Sequence, residues 1–408
     1  MRHRLMPPYR YPSKEMFSTM FKTIAAALFA ALLSLTTAPA WSAETATPDD
    51  TAKFLAGLPP SADSPLAPLA KSSEWEQHAH YFDAIFGQEE RNSLSKIRAF
   101  SQEHLPDKHQ TMLYMLGGPD FLYAHSFFPT ATTYVLAALE PVGEVPQLTS
   151  LPRPTVDRTL HNLESSLHTL LNLSFFITHN MRSQLQVGPV YGTLPILYVF
   201  LARTGQTIHS VSYVSLGADG NFETPGAQTA QSDDSGVKGA RKRPAPSSAP
   251  GVKIVFSNGN GPEQTLYYFS TNLGDDGLKR SGFLAFCEKL GVADSFVKSD
   301  SYLLHSGNFG KIRSFLLDHS GTILQDDSGI PLAYFDPSKW RLQPVGHYVG
   351  PISIFHGYYQ ARMAELFRKE NPIPIDFGLG YRWRRNETSM LLAQKIVPSA
   401  SKAELAPH

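Results

Sequence analysis

Two apolar runs, separated by a glycine turn and a short helical stretch, limit most strongly the folds open to this chain. The first run, TMLYMLGG at 111–118, leads into the turn Gly-Gly-Pro-Asp at 117–120. The second run, TTYVLAALEPVG, occupies 132–143, and PDFLYAHSFF between the runs is short and helix-like. Strand, glycine turn, helix and strand together make the smallest unit of an α/β protein. The region therefore predicts neighbouring parallel strands.

The periodicity changes from helical to strand-like at Thr207. TIHSVSYVSL, VKIVFS (252–257) and QTLYYFS (264–270) follow a period of two, and Asn-Gly pairs join the last two runs. These three runs predict an antiparallel meander. Apolar strands flanked by helices favour an α/β (or α+β) fold of three layers. Its mixed sheet is predicted to be parallel near 111–143 and antiparallel near 207–270, with helices on both faces.

Further elements follow from apolar spacing and from turn residues. Helices are predicted near 73–86, 92–103, 157–186, 194–204, 276–290, 309–319, 350–370 and 388–396. Strands are predicted at 301–305 and 376–383. A hairpin is predicted at 322–335, because Asp-Ser-Gly lies there between apolar flanks.

The segment from Met20 to Ala40 has the three-part layout of a secretory signal peptide. Lys22 precedes an apolar run from Ile24 to Leu35, and the triplet Ala-Pro-Ala closes the segment. The apolar run is too short for a membrane span, which needs about 20 residues. We therefore expect an exported protein, periplasmic or secreted, that is cut near Ala40. Translation could start at Met1, Met16 or Met20.

Composition divides the chain into segments. Residues 1–40 are a leader and signal peptide, and 41–72 are rich in Ala, Pro, Ser, Thr and Asp, which predicts a mobile segment. One globular domain is predicted at 73–397, followed by a tail at 398–408. Within the domain, 217–251 is almost devoid of large apolar residues and predicts a disordered surface loop.

Charge and cysteine content limit the partners and the chemistry that we expect of this chain. The chain has 36 basic and 36 acidic residues, and loss of residues 1–40 removes more basic than acidic ones. The mature chain is therefore mildly acidic and is not expected to bind nucleic acid. We also expect no membrane span in it. The single cysteine, Cys287, is predicted to be a buried small hydrophobe. Neither a cofactor nor an oligomeric state follows from the sequence.

The strongest candidate site is the glycine turn after the first strand. Backbone N–H groups at Gly117 and Gly118 could bind an anion or a polar substrate, and Asp120 lies at the start of the next helix. The same residues are also typical of an ordinary turn. Glu140 ends the second strand, where an acidic residue in nucleotide or methyl-donor folds can hold ribose hydroxyls.

Two other acid–base candidates lie in the last third of the chain. Asp326 and Asp327 could act as paired carboxylates or bind a hard cation, although the same residues suit a hairpin turn. His305 is predicted to end a strand just before a loop, a position suited to a general base. A hydrogen-bonded structural histidine is the alternative.

Two further clusters are weaker candidates. Arg382 and Arg384 lie in an aromatic and basic run that could hold an anionic ligand. His78 and His80 form an H-x-H pair, but in a helix their side chains point about 200° apart, so they are not expected to share a metal ion.

Three functions fit these patterns. The first is a hydrolase-like enzyme with its site at the glycine turn and with Asp120, Glu140, His305 and Asp327 as catalytic residues. The second is a periplasmic binding protein for a small polar or anionic ligand, bound by Gly117, Gly118, Arg382 and Arg384. The third is an envelope interaction protein that uses the 217–251 loop. No G-x-S-x-G, HExxH, Walker or CxxC motif occurs. The sequence ranks the enzyme slightly ahead of the binding protein.

Overall fold

A nine-stranded mixed sheet organises the fold. The computed structural model describes residues 45–105, 109–173, 188–223, 249–298, 301–352, 355, 358–380 and 387–396. All elements named below lie within one unit, residues 46–408. In those ranges no helix combines the length and the apolar character needed to cross a membrane.

The sheet has a parallel centre and antiparallel margins. Its order is β3-β4-β5-β2-β1-β6-β7-β9-β8. The five strands from β5 to β7 in that order are parallel, whereas β3, β4 and β9 each run antiparallel to their neighbours. The strands are β1 Thr111–Met115, β2 Thr133–Ala138, β3 Thr207–Leu216, β4 Ala249–Ser257, β5 Gln264–Ser270, β6 Ala293–Val297, β7 Ser320–Asp326, β8 Trp340–Gly346 and β9 Ser389–Lys395.

Helices cover both faces of the sheet. Residues from α1 to α6 belong to the core on one face, and residues from α7 to α10 pack on the other. The helices are α1 Pro48–Leu55, α2 Ser73–Glu89, α3 Ser95–His104, α4 Phe121–Phe127, α5 Arg153–Leu173, α6 Leu194–Arg203, α7 Asp275–Leu278, α8 Phe283–Lys289, α9 Gly310–His319 and α10 Ala361–Lys369. A π-helical turn, Glu90–Leu94, joins α2 to α3.

The central strand β1 is buried on both sides. Met112 and Tyr114 contribute to one core, and Leu113 and Met115 contribute to the other. Because successive side chains of a strand point to opposite faces, burial of both faces requires a continuous apolar run. The three-layer α/β prediction, with parallel strands near 111–143 and an antiparallel meander at 207–270, is confirmed.

Four element predictions in the last third are wrong. The predicted hairpin at 322–335 is β7 followed by a 3-10 turn, Leu332–Tyr334. The predicted strand at 301–305 holds a 3-10 turn, Leu303–His305, and the parallel strand β6 precedes it. The predicted helix at 388–396 is β9, which pairs on both sides with β7 and β8. Of the predicted helix at 350–370, the described residues form the α-helix α10 at Ala361–Lys369. Short apolar runs are compatible with the period of a helix and with that of a strand, so pairing within the sheet determined which structure formed.

The segment at 41–72, for which composition predicts mobility, contributes to the core. Thr47 caps α1, and the side chains of Phe54 and Leu55 are fully buried. The Trp75 indole N–H donates to the Phe54 carbonyl at 3.0 Å, and the Ile208 N–H donates to an Asp49 carboxylate oxygen at 2.9 Å. These long-range contacts offset the ordering entropy that the local composition suggested would dominate.

The predicted loop at 217–251 is only partly described. Phe222 forms a bridge with Leu216, so the chain turns back directly after β3. Residues 249–251 begin β4 rather than ending a loop. Residues 224–248, the predicted leader at 1–40 and the predicted tail at 398–408 lie outside the described residues.

His125 on α4 gives the fold a defined pH dependence. Burial, with a smaller contribution from the charge of Arg98, lowers the pKa of His125 to about 4. The unfolded chain binds a proton near pH 6.5, so the free energy of unfolding should fall as pH drops from about 6.5 to about 4, by roughly 3 kcal/mol. Urea unfolding across this range measures the loss. His125→Phe should reduce this loss of stability at low pH, whereas His80→Gln, at an exposed position, should leave the loss unchanged. An unchanged pH slope in His125→Phe would contradict this assignment.

Candidate functional site

The sheet has a topological switch point between β1 and β6. From β1 the chain moves to β2 and later to β5 on one side, and then crosses to β6 and β7 on the other side of β1. In open α/β sheets, the loops at such a point diverge and leave a crevice at the carboxyl ends of the strands, where ligands bind. The glycine turn at 117–120 follows β1, so this predicted site lies at the switch point.

Strained backbone occurs on both sides of this point. Within the described ranges, two non-glycine residues have a left-handed backbone, Leu116 with φ of +70° and Tyr302 with φ of +56°. Leu116 directly follows β1, and Tyr302 lies in the loop after β6. Such conformations cost of order 1–3 kcal/mol each and cluster at functional sites, because the surrounding structure must enforce them.

The glycine turn is built around the ring of Tyr114. A Cβ atom on Gly117 would lie 2.2 Å from the Tyr114 ring, so only glycine fits there. The Tyr114 hydroxyl donates to Asp120 at 3.0 Å, and the Tyr123 N–H donates to the other oxygen of that carboxylate at 3.2 Å. Asp120 is fully buried and caps α4. Its geometry is that of a residue that fixes the turn and the helix start.

Glu140 lies just beyond the carboxyl end of β2 and is 6% exposed. Its backbone carbonyl accepts a hydrogen bond from the Tyr268 hydroxyl at 2.9 Å. Its carboxylate oxygen Oε2 is buried and has no hydrogen-bond partner among the described residues. A buried polar atom without a partner is rare in a folded protein and often marks the place of a water, ion or ligand. The structure thus singles out Glu140 among the acidic candidates.

His305 and Asp327 come together beyond β6 and β7, and a tyrosine joins them. The Tyr302 hydroxyl donates to Asp327 at 2.6 Å, and the rings of Tyr302 and His305 contact edge to face with centroids 5.1 Å apart. Burial lowers the pKa of His305, while the negative charge of Asp327 acts in the opposite direction. Like Glu140, His305 has a buried atom, Nε2, that finds no hydrogen-bond partner in the described part of the chain.

Asp326 has a different role from its neighbour. Its carboxylate accepts from the N–H of Ser328 at 2.9 Å and from the hydroxyl of the same residue. It therefore holds the turn that follows β7. Asp327 instead accepts from Tyr302, with the Ser389 hydroxyl 3.4 Å away. The two aspartates are not a matched carboxylate pair.

The sequence did not identify Tyr302, Lys298 or Ser389 as site residues. Lys298 is 2% exposed and follows β6 directly, and Ser389 begins β9. Neither β6 nor β9 is predicted by periodicity, so their flanking residues could not be placed at the carboxyl edge. The one available signal was the run of polar residues beyond ADSFV.

The two weaker candidate clusters, the histidine pair and the arginine run, are placed differently. His78 is buried on α2, where its ring bonds Glu164 at 2.8 Å and the Leu55 carbonyl at 2.9 Å, so it is structural. Within the described ranges, no group of three His, Cys, Asp or Glu residues is arranged to hold a metal ion. Arg382 and Arg384 lie outside the described residues.

Cys287 on α8 lies within the core on the α7–α10 side of the sheet. Burial raises the pKa of its thiol well above the usual value, so the reactive thiolate is disfavoured. This environment makes Cys287 a packing residue.

Comparison of the chain with protein-family models, curated proteins and solved structures finds no match. The function must therefore be argued from the site alone.

Gly117→Ala tests the construction of the turn. The added methyl must displace the fully buried Tyr114 ring or the turn itself, so we expect a loss of about 1–3 kcal/mol in the free energy of unfolding. Gly307→Ala is the matched control, since its Cβ would meet no atom within 4 Å. Urea unfolding of both variants measures the difference. Equal stability of the two variants would show that Tyr114 does not constrain the turn.

Proposed function

We propose that this chain binds a small ribose-bearing molecule at the carboxyl edge of its sheet, between the glycine turn and Glu140. The observation that carries the proposal is the buried carboxylate oxygen Oε2 of Glu140, for which the described residues supply no hydrogen bond. Two vicinal hydroxyls of a ribose are donors of the kind that a carboxylate at this position accepts.

The cost of that unpartnered oxygen supports a ligand. A buried acceptor without a hydrogen bond costs about 1–3 kcal/mol, and more when it is charged. A protein gains nothing in stability from such a group, whereas a bound hydroxyl recovers the cost as affinity. Glu140 is thus better explained as a ligand contact than as a structural residue.

The sheet topology supports the same ligand class by analogy of fold. The parallel order β5-β2-β1-β6-β7 corresponds to the order 3-2-1-4-5 with which doubly wound dinucleotide-binding sheets begin. In those sheets a glycine turn follows the first strand, and an acidic residue about 20 positions further on contacts the ribose. Here Gly117 and Glu140 occupy corresponding places. The full GxGxxG spacing is absent, so the analogy sets the ligand class and not its identity.

The other two functions keep less support. A hydrolase-like site at the glycine turn would need Asp120 as a reacting group, but that carboxylate caps α4 and accepts from Tyr114. Any acid–base chemistry is better placed at His305 and Asp327. An envelope interaction through the 217–251 loop is a prediction whose central residues lie outside the described ranges.

Export is part of the proposal. The compact unit begins at Ala46, so cleavage near residue 40 would remove none of its elements. When the full chain is expressed in a bacterial host with an intact secretion pathway, we expect the mature protein to begin at Trp41. N-terminal sequencing of the processed protein measures this, and an unprocessed chain in the cytoplasmic fraction would contradict export.

Adenosine and 2′,3′-dideoxyadenosine, which lacks both hydroxyls, test the ligand class by calorimetric titration. We expect adenosine to bind and the dideoxy analogue to bind at least about tenfold more weakly, because charged hydrogen bonds contribute roughly 1.5–3 kcal/mol. S-adenosylhomocysteine and NAD extend the panel to larger ribose-bearing molecules. No binding by any of the three ribose-bearing compounds, or equal binding of the dideoxy analogue, would overturn the proposal.

Glu140→Gln supplies the protein side of that test, with the exposed Glu144→Gln as its matched control in the same loop. We expect Glu140→Gln to weaken adenosine binding about tenfold while the ligand-free variant melts no lower than the wild type, since an unpaired buried charge is removed. A variant that instead loses stability would indicate a structural role for Glu140.

A further inference from the structure

We propose that His305 and Asp327 form an acid–base pair that exchanges a proton with an O–H group bound at the carboxyl ends of β6 and β7. The O–H group belongs to a small-molecule substrate or to a water molecule that reacts with it. This inference stands on a different part of the edge from Glu140, and it does not require that the ligand carry a ribose.

The free nitrogen of His305 is the first observation. Nε2 is buried and no described residue hydrogen-bonds to it, so within the described structure the imidazole retains one unused donor or acceptor position. A structural histidine normally uses such a position, as His78 does with Glu164 and with the Leu55 carbonyl. His305 differs from it in this respect.

The position of His305 is fixed from α9. The Arg313 guanidinium donates to the Leu304 carbonyl at 2.7 Å and to the Ser306 carbonyl at 3.2 Å, on either side of the histidine. Arg313 is itself buried and lies over the Tyr334 ring at 3.9 Å. A catalytic imidazole needs this kind of support, because proton transfer depends on distances near 3 Å.

Tyr302 and Ser389 hold the partner carboxylate. Asp327 is 2% exposed, accepts from the Tyr302 hydroxyl at 2.6 Å and has the Ser389 hydroxyl 3.4 Å away. The same tyrosine hydroxyl accepts from the Ile352 N–H at 2.8 Å. The left-handed backbone at Tyr302 is therefore enforced by contacts on two sides, which is how strain persists at functional positions.

The charges around the ring suit proton exchange. Asp327 favours the protonated imidazole, whereas burial and the positive charge of Arg313 favour the neutral form, and the Gly329 backbone acts with Asp327. In the step, the proton leaves the bound O–H group for Nε2. The electron pair of the broken O–H bond stays on the oxygen, the Asp327 carboxylate balances the charge of the imidazolium, and the imidazolium returns the proton to the same oxygen.

The test is an NMR titration of the histidine Cε1–H resonances of the whole protein between pH 4 and pH 8. His305→Gln identifies the His305 signal, and the exposed His80 serves as the internal reference. We expect His305 to titrate with a pKa below 6.5. We expect Asp327→Asn to lower that pKa further, by at least about half a pH unit, because an opposite charge is removed. Asp318→Asn is the control, since Asp318 is exposed near the end of α9, and it should leave the His305 signal unchanged.

Two results would overturn the pair. One is a His305 signal that does not titrate above pH 4 in the wild type, which needs no variant to fold. The other is an equal response of the His305 signal to Asp327→Asn and to the control Asp318→Asn. Addition of adenosine separates this inference from the proposed function: a pair that titrates as expected stands even when adenosine does not bind. A shift of the His305 signal on adding adenosine that Glu140→Gln abolishes would place both groups on one ligand.

Discussion

Burial of both faces of β1 is the constraint on which the rest of the site depends. The strand is covered by one core through Tyr114 and by the other through Met115, and it has parallel neighbours on both sides. After Met115 the chain must turn out of the sheet between the two cores, where little space is left for the turn. The left-handed Leu116, the close approach of Gly117 to the Tyr114 ring, and the cap at Asp120 all follow from that exit.

The same constraint explains why the carboxylates of Asp120 and Glu140 differ in their hydrogen bonds. Asp120 lies inside the exit turn, so its carboxylate is used by Tyr114 and Tyr123. Glu140 follows β2, the neighbouring strand, and its carboxylate oxygen Oε2 has no partner among the residues that the structure describes. Asp120 and Glu140, at two neighbouring strand ends, thus differ in their contacts, because the carboxylate of Asp120 is needed to stabilise the tight turn after β1.

Local patterns predicted the strands that are apolar throughout or that alternate regularly. The apolar run at 111–118 is long enough to be recognised as a strand, and the meander at 207–270 contains Asn-Gly pairs that indicate a turn. Strands β6 and β9 have neither property. Their five to seven residues are strands because β1, β7 and β8 supply hydrogen-bond partners, and such partners are distant in sequence. Without β6 the switch point could not be located from the sequence.

Site residues were predictable in type more than in arrangement. Glu140, His305 and Asp327 were predicted as candidates because polar residues at strand ends often bind ligands in α/β proteins, although the strand that His305 was predicted to end is a 3-10 turn. That His305 meets Asp327 through Tyr302 depends on the parallel pairing of β6 with β7, and periodicity did not predict β6. Unpartnered atoms such as Glu140 Oε2 are properties of packing, so no sequence pattern could reveal them.

The measurement that tests the central claim most directly is a crystal structure of the mature chain grown with adenosine. The account predicts ribose hydroxyls within hydrogen-bond distance of Glu140 Oε2, with the ligand lying beside the glycine turn. A structure in which a protein side chain or a backbone N–H satisfies Glu140 Oε2, and no ligand lies at the carboxyl edge between β1 and β2, would contradict it.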